Sequence, residues 1–349
     1  GVGARPAFGS AAIDGGHGGT ARRASRPSTK LVTESGLRPS DNGLLKQTRL
    51  HTSTAGADQQ PGSGMWTRNR AFYCALSIVA VSVLARTIFA GEDDRRGERL
   101  IRQVDHIILA SPNAEKLCRL FSEQLQLPIA WQFQSYGTFA SGGVSLGTIN
   151  LELLEVQHGP YGLTQVALEP ASLSDVLPAL DARGLPHARP APYVQRDASG
   201  AKRLLWTTVA MPALEPAKTI FLCKYTIDVA DGRARRADAL RKNRGGPLGI
   251  ERPAEVALQV RDLAAAERQW TKLLAPVQPR QRAWDLGAGP SIRLFEGQGG
   301  RGVTLRIKIL SLQQARSFLQ REHLLGLDGE REISLDPSRL SGADIRFVE

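Results

Sequence analysis

Between Leu100 and Glu349 one pattern recurs four times: an apolar strand, a helix, then further strands. A unit of that size cannot bury its apolar face alone, so repeated units must pack on one another. The first runs from the strand Val104–Ala110, through a stop at Ser111-Pro112-Asn113 and a helix over Ala114–Leu125, into strands near 129–134, 137–146 and 148–156. Leu117, Cys118, Phe121 and Leu125 share one helix face. A second unit starts at Leu163–Leu168, has its helix over Leu173–Arg183, and returns in strands near 189–195, 203–210 and 218–226. The third opens at Ala254–Val260 with Asp262 as N-cap of a helix ending at Leu274. Strands near 280–286 and 290–296 follow, one fewer than in the earlier units. The fourth comprises Val303–Ile309, a helix over Leu312–Arg321, and strands at Ile333–Leu335 and Ala343–Val348. The fold class expected is α+β, with four βαβββ modules in two pairs.

These limits divide the chain. Modules one and two occupy 100–228 and modules three and four 253–349, with a Gly/Arg-rich linker over 229–252. Residues 1–64 show neither apolar period and are read as disorder or upstream sequence, since ordering them would cost roughly 1–2 kcal/mol per residue with little burial in return. Residues 65–90 combine a basic stretch, Met65–Arg70, with the uncharged run Ala71–Ala85 and small-residue cleavage signals. That is the layout of a secretory leader. An uncleaved anchor is the alternative, although Arg86 interrupts the ~20 apolar residues a span needs, and a buried helix comes last. An exported or anchored protein is expected, with membrane contact only through this segment.

Composition removes several function classes. The net charge of +11 suggests nucleic acid until it is located, for residues 101–349 hold 31 Lys+Arg against 26 Asp+Glu. Arg233, Arg235, Arg236, Arg241, Lys242 and Arg244 cluster in the linker, but Asp231 and Asp238 dilute them and no aromatic residue is interleaved. A solvated linker is expected, and no nucleic-acid partner. Three cysteines exclude a disulfide scaffold, and six scattered histidines exclude a His-rich metal centre. The string Gly245–Gly249 lacks the spacing of a phosphate loop.

The segment VDHIILASPNAEKLCRLFSEQLQLPIAW, followed by GTINLELLEV, resembles the opening module of the vicinal oxygen chelate superfamily. That group includes glyoxalase I, bleomycin-resistance proteins and extradiol dioxygenases. The likeness is fullest over 102–226 and extends to 254–349 by pattern alone. It implies that two modules form a curved eight-stranded sheet whose concave side is a cleft, often holding a divalent metal on the first and fourth strands of each module. Carried over residue by residue, those positions are His106, Glu152, Gln165 and Lys224. The resemblance thus implies His106, Glu152 and Gln165 as ligands of Zn, Ni, Fe or Mn. Lys224 departs from the pattern: an ammonium cannot ligate and repels a dication, and it would instead pair with Glu152. In the second pair the matching positions are Glu255, Arg293, Leu305 and Glu349, which do not make a metal site.

Each residue also has a plainer reading. His106 fits a hydrogen-bonded strand histidine, Glu152 a solvent-facing edge carboxylate and Gln165 an ordinary strand amide. Cys118 and Cys223 read as core, with Cys223 turned from the cleft if Lys224 faces it. Trp131, Trp206 and Trp284 read as core or as cleft lining for an apolar ligand. The functional expectation is a small-molecule cleft in the first pair, with metal-dependent lyase, isomerase or dioxygenase chemistry. Sequestration without turnover, of the bleomycin-resistance type, and a degenerate scaffold are the alternatives. A homodimer is compatible with all three.

Overall fold

The computed structural model describes residues 99–196, 200–297 and 302–349, all within one compact unit. The expectations for 1–64 and for the leader or anchor at 65–90 lie outside these residues. Among the described residues no helix is long and apolar enough to cross a membrane.

Module one is β1 (Ile101–Ser111), α1 (Ala114–Arg119, prolonged by a π turn over Leu120–Gln124), β2 (Ile129–Ser135), β3 (Ala140–Ser145) and β4 (Asn150–Glu155). Module two is β5 (Gly162–Pro170), α2 (Leu173–Ala182), β6 (Ala191–Arg196), β7 (Lys202–Ala210) and β8 (Ile220–Tyr225). Together they form one eight-stranded sheet in the order β2-β3-β4-β1-β5-β8-β7-β6. The modules meet where β1 runs antiparallel to β5, so each fills one half.

The second half of the chain repeats this with one strand fewer. A helix, α3 (Ala230–Lys242), leads through a short turn into β9 (Ile250–Val260), α4 (Leu263–Leu274), β10 (Ala283–Trp284) and β11 (Ser291–Glu296). Then come β12 (Val303–Ile309), α5 (Leu312–Arg321), β13 (Leu325–Asp328), β14 (Glu332–Leu335) and β15 (Asp344–Val348). Their order is β10-β11-β9-β12-β15-β14-β13, again joined by an antiparallel pair of first strands. The missing strand belongs to module three. Short β13, whose Gly326 and exposed Leu327 weaken its alternation, was not visible in the sequence.

Strand alternation separates two environments. Ile107, Leu109, Leu151 and Leu153 point to the helix side, into a core continuous across both sheets. Their neighbours Ile108, Glu152 and Leu154 point to the concave side. Trp284 belongs to the core and not to a cleft: it is fully buried, 6.3 Å from the Trp270 ring.

The linker is structured. Residues 230–242 are helical, Leu240 is buried, and Arg233 is turned inward. The Gly-rich string after it makes the reversal into β9. Gly245 has φ +74°, and a Cβ there would lie 2.1 Å from the Ile250 nitrogen. Gly245→Ala is therefore expected to cost about 3 kcal/mol, the upper end of local backbone strain. Gly184→Ala, at φ +63° with open space around it, should cost only about 1 kcal/mol. Urea denaturation of the two variants checks the contrast.

Candidate functional site

The site begins with an irregularity in β1. Val104 pairs with Leu168 and His106 with Ala167, so Asp105 is an extra residue in that strand. Adjacent strand residues normally face opposite sides, but a bulge re-aims one of them. Here it brings Asp105 beside His106, with Oδ2 2.6 Å from Nδ1. Both residues are buried.

From that pair a chain of charges runs in two directions. Across the parallel β1–β4 pairing, His106 Nε2 lies 3.2 Å from Glu152 Oε2. Behind, Arg233 of α3 donates to Asp105 Oδ1 at 2.6 Å and to Glu169 Oε2 at 3.0 Å. The Tyr225 hydroxyl donates to Asp105 Oδ2 at 3.1 Å, and Gln103 donates to Glu169. Burial opposes charging of His106, but the hydrogen bonds to Asp105 and Glu152 outweigh it and push the imidazole up to about 10. Burial likewise works against ionised Asp105, yet His106, Arg233 and Tyr225 hold its carboxyl below the usual range.

His106, Glu152 and Tyr225, the members of this set that reach the concave side, line a cavity of about 470 Å³, within the size range of small-molecule pockets. Its walls are mostly aromatic and aliphatic, including Trp131, Tyr136, Phe139, Tyr193, Trp206 and Phe221. Tyr193 stacks on Trp206 with centroids 4.3 Å apart, and Tyr136 on Phe139 at 5.0 Å. Tyr136 follows β2 and Tyr193 lies on β6, the two edges of the sheet. Their rings meet edge to face at 6.0 Å, and the Tyr193 hydroxyl donates to the Tyr136 carbonyl. The sheet thus closes over its own hollow.

A glycine makes room inside. A Cβ on Gly143 would lie 2.6 Å from the Trp131 ring, so only glycine lets that indole lie across β3. The Gly142-Gly143 pair lies within an unbroken β3.

Of the six positions taken from the sequence, four line this cavity: His106, Glu152, Trp131 and Trp206. Gln165 does not. It sits opposite Ile108, while the place opposite His106 is taken by Ala167. Lys224 is also outside: its Nζ donates to the Ala171 carbonyl at 3.3 Å, and Cys223 and Tyr225 face the cavity instead. The expected Lys224–Glu152 pairing is replaced by His106–Glu152, and the inward and outward residues of β8 are the reverse of those expected. Burial pushes the Cys223 thiol well above its usual range, so it is a small apolar wall residue and not a nucleophile.

Asp105, Tyr225, Tyr136, Tyr193 and Phe139 were not singled out in the sequence. Arg233 was seen only as one member of a basic run. The Asp-His pair within an apolar strand was the available signal, but strand alternation separates those two side chains unless the bulge is known.

A resident divalent metal does not fit these residues. His106 Nε2 and Glu152 supply two donors, and Ile108, Leu154 and Phe221 occupy the surrounding floor. Among the described residues no three of His, Cys, Asp and Glu converge as ligands.

The second sheet's concave side is occupied by its own side chains. Arg293 and Arg306 both bind Glu255, Arg306 and Arg346 bind Glu332, and Arg346 also binds Asp344. Leu305, carried over as a cleft position, is fully buried in the core, and Glu349 instead accepts from the Leu312 nitrogen at the start of α5.

Neither a family model nor a curated protein matches the chain. Among solved structures it is similar to a hypothetical protein from Staphylococcus aureus at 13% identity and TM-score 0.47, covering 70% of this chain and 98% of that one. It is also similar to the 2,3-dioxygenase LapB from Pseudomonas sp. KL28, at 11% identity and TM-score 0.48 over 72% and 92% of the two chains. A third is an extradiol ring-cleaving dioxygenase from B.fuscum, at 11% identity and TM-score 0.48 over 73% of each. At these scores the likeness says nothing of activity.

Two outcomes test the site. Arg233→Met leaves Asp105 and Glu169 without their shared cation, and breaking a buried pair from one side costs about 3–5 kcal/mol. Thermal unfolding should show that loss, whereas Arg235→Met should be near neutral. The second concerns pH. Because the folded His106 imidazole is raised above its ordinary value of 6.5, its stabilising contribution is full below about 6.5 and is lost as pH rises through about 10. A urea midpoint that declines over that window in the wild type, and more shallowly in His106→Gln, is the expected result.

Proposed function

We propose that the cleft of the first sheet binds a small, largely apolar organic molecule without a resident metal, and that the protein sequesters this molecule in the manner of the binding branch of the vicinal oxygen chelate superfamily. The observation that carries this reading is the cavity itself: aromatic rings from both edges of one sheet arch over a single imidazole–carboxylate pair. A hollow of about 470 Å³ with mainly apolar walls gains its affinity from burial, roughly 25 cal/mol per Å² of apolar surface removed from water. The polar floor then fixes the orientation of the guest. The metal-dependent reading requires ligands beyond His106 and Glu152, and the positions opposite them are Ala167 and the β8 residues Phe221 and Cys223.

The test is titration of the full chain with naphthylethanol, followed by quenching of tryptophan fluorescence, before and after dialysis against EDTA. Binding should be saturable and unchanged by the chelator. Trp206→Ala should weaken it about tenfold or more, the equivalent of losing one well-packed aromatic contact. Loss of binding on chelation, restored by added Fe, Zn, Mn or Ni, would reinstate the metal centre. No binding in either state would count against a ligand cleft.

A further inference from the structure

We infer that the guest of this cleft is an organic monocation: a protonated amine on an apolar body of aromatic size. The inference rests on the reading of the cleft as a binding site and adds the charge of what it holds.

The argument is an inventory of protons and charges around the cavity. Both ring nitrogens of His106 face carboxylates, Asp105 at 2.6 Å and Glu152 at 3.2 Å. The hydroxyl protons of Tyr225 and Tyr193 go to Asp105 and to the Tyr136 carbonyl. Thr208 donates to the Ala191 carbonyl and the Trp131 indole to Ser141. These four groups have therefore spent their protons on the protein, while Tyr136 and Ser141 accept through their hydroxyl oxygens from Gln134 and Trp131 and keep their own protons for a guest. Glu152, with its side chain 14% exposed, faces the cavity and holds His106 through Oε2, which leaves Oε1 as an acceptor.

Charge is balanced behind the cavity, where Asp105, Glu152 and Glu169 are set against His106, Arg233 and half-buried Arg236, which interacts with Asp105. Of the three carboxylates only Glu152 lines the cavity. Arg102 meets Glu169 only at 3.7 Å from a solvent-exposed position, and Arg203 lies on an exposed part of β7 at the cavity rim. Water screens both more than the floor. Trp131, Tyr136, Tyr193 and Trp206 line the same cavity as the carboxylate, and the π quadrupoles of such rings attract a desolvated cation.

Three probes of one shape separate the outcomes: naphthylethylamine, naphthylethanol and naphthylacetate, titrated at pH 7 into the full chain and read by tryptophan fluorescence. The amine should bind about tenfold tighter than the alcohol, and the acid weakest of the three. Glu152→Gln should reduce the amine-to-alcohol affinity ratio from about tenfold to about one, whatever the change in the two absolute affinities. Should that variant unfold, Tyr136→Leu provides the second reading, because losing one π face should weaken the amine more than the alcohol. Alcohol or acid binding as tightly as the amine would overturn the cation assignment and leave the cleft a binding site. Binding of none of the three would overturn both.

Discussion

One extra residue in β1 sets the character of the first sheet. Without the bulge at Asp105, alternation would turn that carboxylate into the helix-side core, where nothing polar awaits it. With the bulge, Asp105 lies beside His106 and within reach of Arg233 and Tyr225. A carboxylate removed from water needs partners for both oxygens, and here each has at least one. The four groups Arg233, Asp105, His106 and Glu152 then alternate in sign from α3 to the cavity, each neutralising the next. Removing any member leaves a buried charge uncompensated, which makes the chain of contacts demanding to build and specific once built.

The same architecture, used a second time, has a different interior. In the first sheet the concave face keeps its charges on the floor and covers them with rings. In the second, Glu255, Arg293, Arg306, Glu332, Arg346 and Asp344 reach across the face and satisfy one another. Long arginine side chains occupy space as well as charge, so the face where a guest would lie is taken up by guanidinium groups. The register explains how. Arg306, not Leu305, is the residue of β12 on that side, placed opposite Glu255 by the antiparallel pairing of β9 and β12. One module pair thus retains a hollow, while the other replaces it with an ion network that helps hold its own strands together.

Much of this was legible in the sequence, because modules are written in a period that burial enforces. The four strand–helix openings, the division into two pairs and the short third module follow from alternation between apolar and polar positions, whereas the meeting of His106 with Glu152 was implied by the family resemblance. What alternation could not show are its own interruptions. The β1 bulge hid Asp105. Errors of one residue in β8 and β12 turned Lys224 and Leu305 inward on paper, whereas Tyr225, Cys223 and Arg306 are the inward residues. Arg233 was hidden for another reason: its carboxylate partners are 128 and 64 residues away. Nothing local distinguishes it from Arg235, because a helix in a charge-rich connector looks like a solvated linker until its buried face is known.

The aromatic cover illustrates a constraint of the same kind at longer range. Tyr136 and Tyr193 stand at opposite edges of an eight-stranded sheet, yet their rings are 6.0 Å apart and joined through a hydrogen bond to backbone. Twist and curl alone bring the outer strands of such a sheet around toward one another. Closure by side chains replaces the edge-to-edge backbone bonds of a true barrel and leaves an opening that a guest can use. It also explains why the rings cluster there. Tyr136, Phe139, Tyr193 and Trp206 must satisfy one another across the mouth, and each carries broad apolar area with few rotatable bonds, so ordering them costs little side-chain entropy for the area they cover. An aliphatic cover would need more side chains to span the same gap. The ring pairs thus serve the fold and the cavity together, since the contacts that close the sheet also form the surface a bound molecule meets.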